Sequence, residues 1–534
     1  MTTTTSLKPR RYRSELTGET FDVIVIGSGL GGLTTAALLA KAGKRVLILE
    51  RHYVPGGFTQ TFKRKGFEWD VGVHYVGDLD RENSMGRKIF DHITGGRLQW
   101  ASMGETYDVA LIEGDRYEFV AGREKQIDRL IGYFPEEREA IQRYFELLDT
   151  VRGATQMYFG ERAMPPFLSR SVGWFLRRRF NRLSDMTTHE ALSRITSNPK
   201  LIGVLCAQCG DYGLAPRRSS FAAHAMVAGH YVNGGSYPSG GAKSIYEGIL
   251  AVIEENGGRI ALNAEVERVL LDRGKAIGVR LANGDELRAG TVVSAAGARI
   301  TYQQLLPSDL PGREQIDTDL ARVAPSNAHL CLYLGLDRSD EALELPKYNY
   351  WIYDDYDFDR LLDRYADEPE ADPPFAYVSF PSAKDPEWAA NHPGKAAVQV
   401  LGMAPYRWFE GWEDQGWQRR GEGYDAFKQR LHDRLMRVFV KVAPQCEGHV
   451  ETSELSTPLS TRHFTNNARG EIYGLEHTPD RFRLKWLRPH TPVKNLFMTG
   501  QDVVTVGVTG AAASGVLTAS TILKRNLMSR LQKG

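Results

Sequence analysis

Gly27, Gly29 and Gly32 are spaced as GxGxxG, and an acidic residue, Glu50, follows 18 residues after the last of them. Those residue types at that spacing suit the binding of a dinucleotide. Gly27 permits a tight turn, Gly29 lets backbone approach a pyrophosphate, and Gly32 lets a helix sit close to a strand. Glu50 is placed to accept hydrogen bonds from ribose hydroxyls, and its charge would repel a 2′-phosphate. The elements needed to hold these residues are also legible. Asp22–Ile26 is a short β-branched run suited to a buried parallel strand. A helix rich in small residues follows over 33–42, starting beside Leu30 and ending at Gly43, with its N-terminal N–H groups and dipole directed at the phosphates. Val46–Leu49 is the second strand, and Glu50 with Arg51 closes it.

Two further segments extend the site. Pro55-Gly56-Gly57 lies just past the ribose carboxylate, where glycine backbone can pass close to a long, extended cofactor. This arrangement resembles the FAD-binding amine oxidase and phytoene desaturase superfamily. Near the other end, a strand over 495–499 leads to Gly500 and Asp502, then to Gly507, Val508, Thr509, Gly510 and a helix of small residues. The resemblance implies that Asp502 binds the ribityl chain and that the start of this helix approaches the pyrimidine edge of the flavin. It also places Val266 against the adenine and makes Ala295-Ala296-Gly297 a second turn on the dinucleotide side. One non-covalent FAD is thus expected, assembled from three separated segments. There is no second GxGxxG, so any electron partner is expected to be a diffusible nicotinamide, NAD(P)H, or a quinone.

The stretches "GFEWDVGVHYVGDL" (66–79) and "CGDYG" (209–213), with "FPSAKDPEW" (380–388) and "YRWFEGW" (406–412), are similar to the retinol saturase-like branch of the phytoene desaturase and carotenoid isomerase family, in a bacterial-type form. The resemblance implies an FAD-dependent oxidoreductase acting on carbon–carbon double bonds of a lipophilic polyene, retinoid or carotenoid. Saturation is the leading expectation, with redox-neutral cis–trans isomerisation or desaturation on the same FAD as alternatives. Reduction needs an acid to protonate one carbon. His74, Tyr75, Asp211 and Tyr212 are the expected candidates, and His224, His230 and Tyr237 lie in the same motifs.

The expected fold is α/β: a Rossmann-like FAD domain of the glutathione reductase/amine oxidase type, with an inserted α+β substrate domain. Segments 20–95, 225–310 and 485–534 would form the first, and 96–224 with 311–484 the second, after a flexible basic leader over 1–20. With 42% hydrophobic residues, 25% charged residues and a net charge of +1, the composition is that of a globular chain with no pull toward nucleic acid. Four cysteines are too few for a disulfide scaffold. Cys206 and Cys209 form a CxxC, read as buried structural thiols, and no ligand set for a metal is apparent. Residues 165–183 combine Val172, Leu176, Phe180 and Leu183 at helical spacing, flanked by Trp174 and Phe175, with Arg170, Arg177, Arg178, Arg179 and Arg182. Such a basic amphipathic helix suits peripheral contact with an anionic membrane. The expected location is cytoplasmic, on the inner face of the membrane.

Overall fold

The computed structural model describes residues 10–533. Its eight-stranded sheet is drawn from three separated stretches of chain. Thr20–Ile26 lies between Val46–Glu50 and Glu286–Ser294, all parallel. Arg259–Leu262 extends the sheet beyond Val46–Glu50, and Leu496–Met498 pairs with the end of Glu286–Ser294, both parallel. The start of Glu286–Ser294 carries an antiparallel meander, Lys275–Leu281 and Val266–Asp272. The central strands are buried on both faces, which accounts for their unbroken Val/Ile/Leu runs. The helices Leu30–Lys41 and Gly507–Leu523 pack together on this sheet, and a Cβ at Gly515 would lie 2.5 Å from that of Thr34. Only a glycine lets the two helices come this near.

Arg10 and Arg11 pair in parallel with Ala261 and Leu262, and the hydroxyls of Tyr12 and Ser14 donate to Asp285 at 2.9 and 2.7 Å. The chain from Arg10 is therefore part of the sheet edge, and the flexible leader expected over 1–20 does not reach that far. Residues 1–9 lie outside the described residues.

A second sheet of seven strands is mostly antiparallel: Val450–Ser456, His329–Leu336, Ala396–Met403, Phe375–Ser379, Asn349–Tyr353, Thr106–Ile112 and Asp115–Val120, in that order. The period-2 alternation of His329–Leu336 divides its residues between two faces. Leu330, Leu332, Leu334 and Leu336 meet Leu431, Leu435 and Phe439 of the helix Gly421–Val442. Cys331 and Tyr333 turn to Phe67 and Trp69, and His329 faces the cleft described below. Helices Arg138–Ala163, Pro166–Ser184 and Phe221–Tyr231 form a layer beside this sheet.

Candidate active site

A cavity of about 330 Å³ runs between the two sheets, a size typical of small-molecule and cofactor sites. At one end its wall is almost entirely backbone. Gly27 adopts φ +90° and donates its N–H to Leu49 O at 2.8 Å. Gly29 caps the helix Leu30–Lys41 and pairs with Gly56 across the cleft. No side chain caps that helix, nor the helix Gly507–Leu523, so both N-termini open on the cleft with donors to offer an anion. Glu50 is buried: Oε2 accepts from Ser28 N–H and Ser28 Oγ at 2.8 and 2.6 Å, and Oε1 from His52 N–H at 2.8 Å. Gly57 fits where a Cβ would meet Gly29 Cα at 3.0 Å. This cradle of close glycines, two open helix ends and a fixed carboxylate fits FAD.

The structure lines this one cleft with Gly27, Gly29, Leu30, Glu50, Arg51, Gly56, Gly57 and Val266, and with Ala296, Gly297, Gly500, Asp502, Gly507 and Val508. Gly32 lies behind it as a packing residue: a Cβ there would fall 2.4 Å from Gly27 O. Thr509 is placed apart from these. It is absent from the wall of the cleft, and its hydroxyl lies 3.4 Å from His230 Nε2. One helical turn carries successive residues to different faces, so only part of the Gly507 turn can front the cleft.

Asp502 has a wider structural role than the sequence suggests. Its Oδ1 accepts Leu475 N–H at 2.8 Å and its Oδ2 accepts Ala298 N–H at 2.7 Å. The buried guanidinium of Arg481 stands 3.7 Å away. The carboxylate thus ties three segments of the cleft wall together.

At its other end the cleft continues into a small aromatic chamber, and His74, His329, Leu401, Ile472 and Tyr473 line both. Trp351, Phe375 and Tyr377 add three more rings, with Asp211 and Asn327 also in the wall. A Cβ at Gly210 would lie 2.5 Å from Trp351, and one at Gly213 would lie 2.9 Å from Tyr473. The two glycines flanking Asp211–Tyr212 therefore let this turn press against the rings. His74 Nδ1 is buried with no hydrogen-bond partner among the described residues. Burial, with the Lys384 charge, pulls His74 down to about 3, so it is a neutral imidazole.

Behind the chamber wall lies a buried polar cluster. Strand register places Asn349 opposite Asp108, and Asn349 Nδ2 donates to Asp108 Oδ1 at 2.9 Å. Asp108 Oδ2 also accepts from Gln208 Nε2 and from Tyr75 OH, both at 2.8 Å. Tyr75 OH lies 2.9 Å from Asp211 Oδ2 as well. Burial pushes Asp108 up to about 6, and burial plus the Asp108 charge pushes Asp211 well above the carboxylate range. Lys384 Nζ donates to His74 O at 3.0 Å, to Ser379 Oγ at 2.7 Å and to Asn349 Oδ1, and burial lowers it to about 7.

The four candidate acids thus separate. His74 and Asp211 face the chamber. Tyr75 stands behind Asp211, stacked on Tyr231 with ring centroids 4.4 Å apart. Tyr212 is a correction: it is fully buried away from the chamber, its hydroxyl 3.1 Å from His224 Nδ1. Adjacent residues on so tight a turn point to opposite sides. His224 is enclosed by Tyr212 and Tyr144, His230 Nε2 accepts Gly77 N–H at 2.9 Å, and Tyr237 donates to Asp70. Cys206 and Cys209 are buried free thiols, with Cys209 pushed by burial to about 12.

Sequence reasoning missed several residues. Gly31 is one: a Cβ there would lie 2.6 Å from Gly500 N. Its signal, a glycine beside Gly32, was present. Lys384 sits inside the "FPSAKDPEW" motif, whereas Asp108, His329 and Arg481 carry no local signal.

The model of the family described as flavin containing amine oxidoreductase matches residues 30–523. An all-trans-retinol 13,14-reductase of Macaca fascicularis is 37% identical over 536 residues, covering 96% of this chain and 87% of that protein. A chloroplastic prolycopene isomerase of an Oncidium hybrid cultivar is 26% identical, covering 94% of this chain and 84% of that protein. Among solved structures, an oxidoreductase from Methanosarcina mazei superposes with a TM-score of 0.60 at 18% identity, covering 95% of this chain and all of that one. The cleft and these likenesses agree: the chain belongs to the flavin-containing amine oxidoreductase family.

Proposed function

We propose that this FAD-dependent oxidoreductase saturates a carbon–carbon double bond of a lipophilic polyene, retinoid-like or carotenoid-like, in the chamber beside the flavin cleft. The observation that carries the reading is the joining of that chamber to the cofactor cleft. Its wall is mostly aromatic and aliphatic, with His74, Asp211, Asn327 and His329 as its polar side chains; it shares five residues with the cleft, and among the described residues it holds no lysine or arginine. At about 50 Å³ the chamber takes a short part of a conjugated chain against such rings, and no cation in the wall would repay the dehydration of an anionic substrate. The 37% identity to a retinol reductase over nearly the whole chain supports the direction of the reaction. Flavin bound in the cleft supplies the two-electron chemistry. The chain's own residues hold the substrate, exclude water, and deliver a proton. Glu50 and the glycine turns grip the cofactor, and Asp502 fixes the segments around it.

Isomerisation on the same flavin is the second reading, favoured by the prolycopene isomerase likeness. Anaerobic incubation of the reduced holoprotein with all-trans-retinol and with a carotenoid, followed by mass spectrometry, separates the two. Saturation gives a product two hydrogens heavier. An isomer of unchanged mass overturns saturation. A product two hydrogens lighter, formed on the oxidised holoprotein, would reassign the chain to desaturation.

Electrons are proposed to arrive from a diffusible nicotinamide or a quinol, because the chain holds one dinucleotide fingerprint. The lipophilic substrate is proposed to enter from the cytoplasmic face of a membrane touched by the helix Pro166–Ser184. Phe167, Trp174 and Phe175 stand exposed on that helix beside the exposed Arg170, Arg178, Arg179 and Arg182. Among the described residues no helix is long and apolar enough to cross a membrane. Part of the expected stripe faces inward instead. Phe180 stacks on Tyr158 at 4.0 Å, Leu183 is buried, and Arg177 pairs with buried Glu161 at 2.6 Å.

A further inference from the structure

The hydrogen bonds around Tyr75 do not balance unless one carboxyl carries a proton. The hydroxyl of Tyr75 stands 2.8 Å from Asp108 Oδ2 and 2.9 Å from Asp211 Oδ2. A phenol owns one proton and can donate to one of these oxygens only. With both acids ionised, the other contact would set two lone pairs against each other in a buried site. One acid must therefore donate to the phenolic oxygen.

The surroundings decide which. Asp108 is fully buried and accepts from Asn349 and Gln208 besides Tyr75, an environment that supports a carboxylate. Asp211 has Tyr75 as its sole side-chain hydrogen-bond partner among the described residues, with the Asp108 charge beyond it. The other titratable groups around Asp211 are Tyr107, Tyr231, Tyr353, Tyr377, Tyr473 and Cys209, all held neutral by burial, and His74 and His329 of the same chamber are lowered by burial too. The buried cation Lys384 is directed at His74 O, Ser379 and Asn349. The chain of donors thus runs Asp211 to Tyr75 to Asp108. Asp211 alone of the three lines the chamber, with part of its surface open to it.

We propose that Asp211 is the proton donor of the double-bond reduction, stored in the chamber wall as a neutral carboxylic acid, with Tyr75 and Asp108 as the positioning pair that keeps it protonated. This rests on reading the chamber as the place of polyene reduction. In the step, the O–H bond of Asp211 breaks and a C–H bond forms at one carbon. The other carbon takes a hydride equivalent from reduced flavin, which is oxidised as the alkene is reduced. The new carboxylate faces the Asp108 charge, so it regains a proton from water once product leaves. A neutral acid also leaves the chamber without a fixed charge, as an apolar substrate requires.

Infrared difference spectroscopy of the ¹³C-aspartate-labelled holoprotein near neutral pH tests the stored proton without any substrate. A protonated-carboxyl band that shifts in D₂O and disappears in Asp211→Asn is expected. In Tyr75→Phe the band should move toward that of an unbonded acid. Absence of the band, or its loss in Asp108→Asn with survival in Asp211→Asn, overturns the proposal. For the transfer itself, Asp211→Asn should slow reoxidation of reduced flavin by polyene at least about 100-fold, with FAD content and dithionite reduction unchanged. Reoxidation within twofold of the parent overturns the donor role. Should the parent fail to reduce any polyene while the band is present, the functional reading falls and the donor role with it, whereas the stored proton stands.

Discussion

The cofactor cleft and the aromatic chamber meet at His74 but are built by opposite means. The cleft is made from backbone: left-handed glycines, uncapped helix ends, and a Cβ excluded at Gly31 and Gly32. The chamber and the polar cluster behind it are made from side chains that separate stretches of chain bring together: Asp211 lines the chamber, and Tyr75, Asp108 and Lys384 stand behind it. A backbone site depends on where atoms may not be and is insensitive to titration. A side-chain site depends on which atoms carry protons. The two regions should accordingly fail in different ways.

The largest expected effect lies where a side chain holds the backbone site together. Asp502→Ala removes the acceptor for Ala298 and Leu475 and leaves the guanidinium of Arg481, 1% exposed in its side chain, facing only carbonyls. Breaking a buried pair on one side costs about 3–5 kcal/mol. The variant should melt far below the parent even when saturated with FAD. An unchanged melting temperature with weaker FAD retention would instead make Asp502 purely a cofactor ligand.

Next in size is the pH response of the chamber. Burial holds Asp108 at about 6 in the folded chain, above its ordinary 3.8. A carboxyl raised by folding stabilises most below its unfolded value, and that contribution is lost as pH rises through the folded one. Asp108→Asn removes this dependence. The variant should gain stability relative to the parent between about pH 4 and 6, by about 3 kcal/mol over the window. The relief felt by Asp211 acts in the same direction. A constant offset in melting temperature across the window would show that Asp108 does not titrate there.

The cleft offers the sharper contrast. At Gly31 a Cβ would strike Gly500 N and Cα at 2.6 and 2.7 Å, backbone that cannot swing away. Gly31→Ala should cost about 1–3 kcal/mol and loosen both helices. At Gly29, two residues earlier, φ is −59° and nothing lies within 4 Å of a Cβ. Gly29→Ala should therefore leave the apoprotein's stability within about 1 kcal/mol of the parent and weaken FAD binding, since the added methyl enters the cleft. If both variants lose stability equally, the distinction between packing glycine and cofactor glycine fails.

How far each region can be read from sequence follows from the same difference. The strand, turn, helix, strand and Glu50 of the cleft are contiguous, so spacing alone displays their geometry. Asp502 and Gly507 are legible through a motif of similar kind. The chamber is not local. Asp108 meets Asn349 through strand register, and Lys384 reaches His74 O across 310 residues. Asp211 and Tyr212 read alike in sequence, and only the turn shows that one faces the chamber and the other the core. Thr509 and Phe180 fail for a related reason: a helical pattern gives the period of a face, not which neighbour covers it.

The smallest effect on stability should come from the surface of the chamber half. Trp174 and Phe175 are 64% and 66% exposed on the helix Pro166–Ser184, while Phe180, further along it, is 1% exposed. The inward side is fastened by Phe180 against Tyr158 and by Arg177 against Glu161, so the outward aromatics are not needed to hold the helix in place. Replacing Trp174 and Phe175 with Ser should shift stability by no more than about 0.5 kcal/mol per site. Binding to vesicles containing anionic lipid should nonetheless fall, because two of the three large rings exposed on this helix are lost, leaving Phe167. Phe180→Ser is the counterpart: it should lower stability by about 3–5 kcal/mol and leave vesicle binding of the surviving folded protein intact. Equal vesicle binding by the parent and the Trp174/Phe175 variant would remove the membrane from the proposed route of substrate entry, leaving the helix as a cover over the layer beneath it.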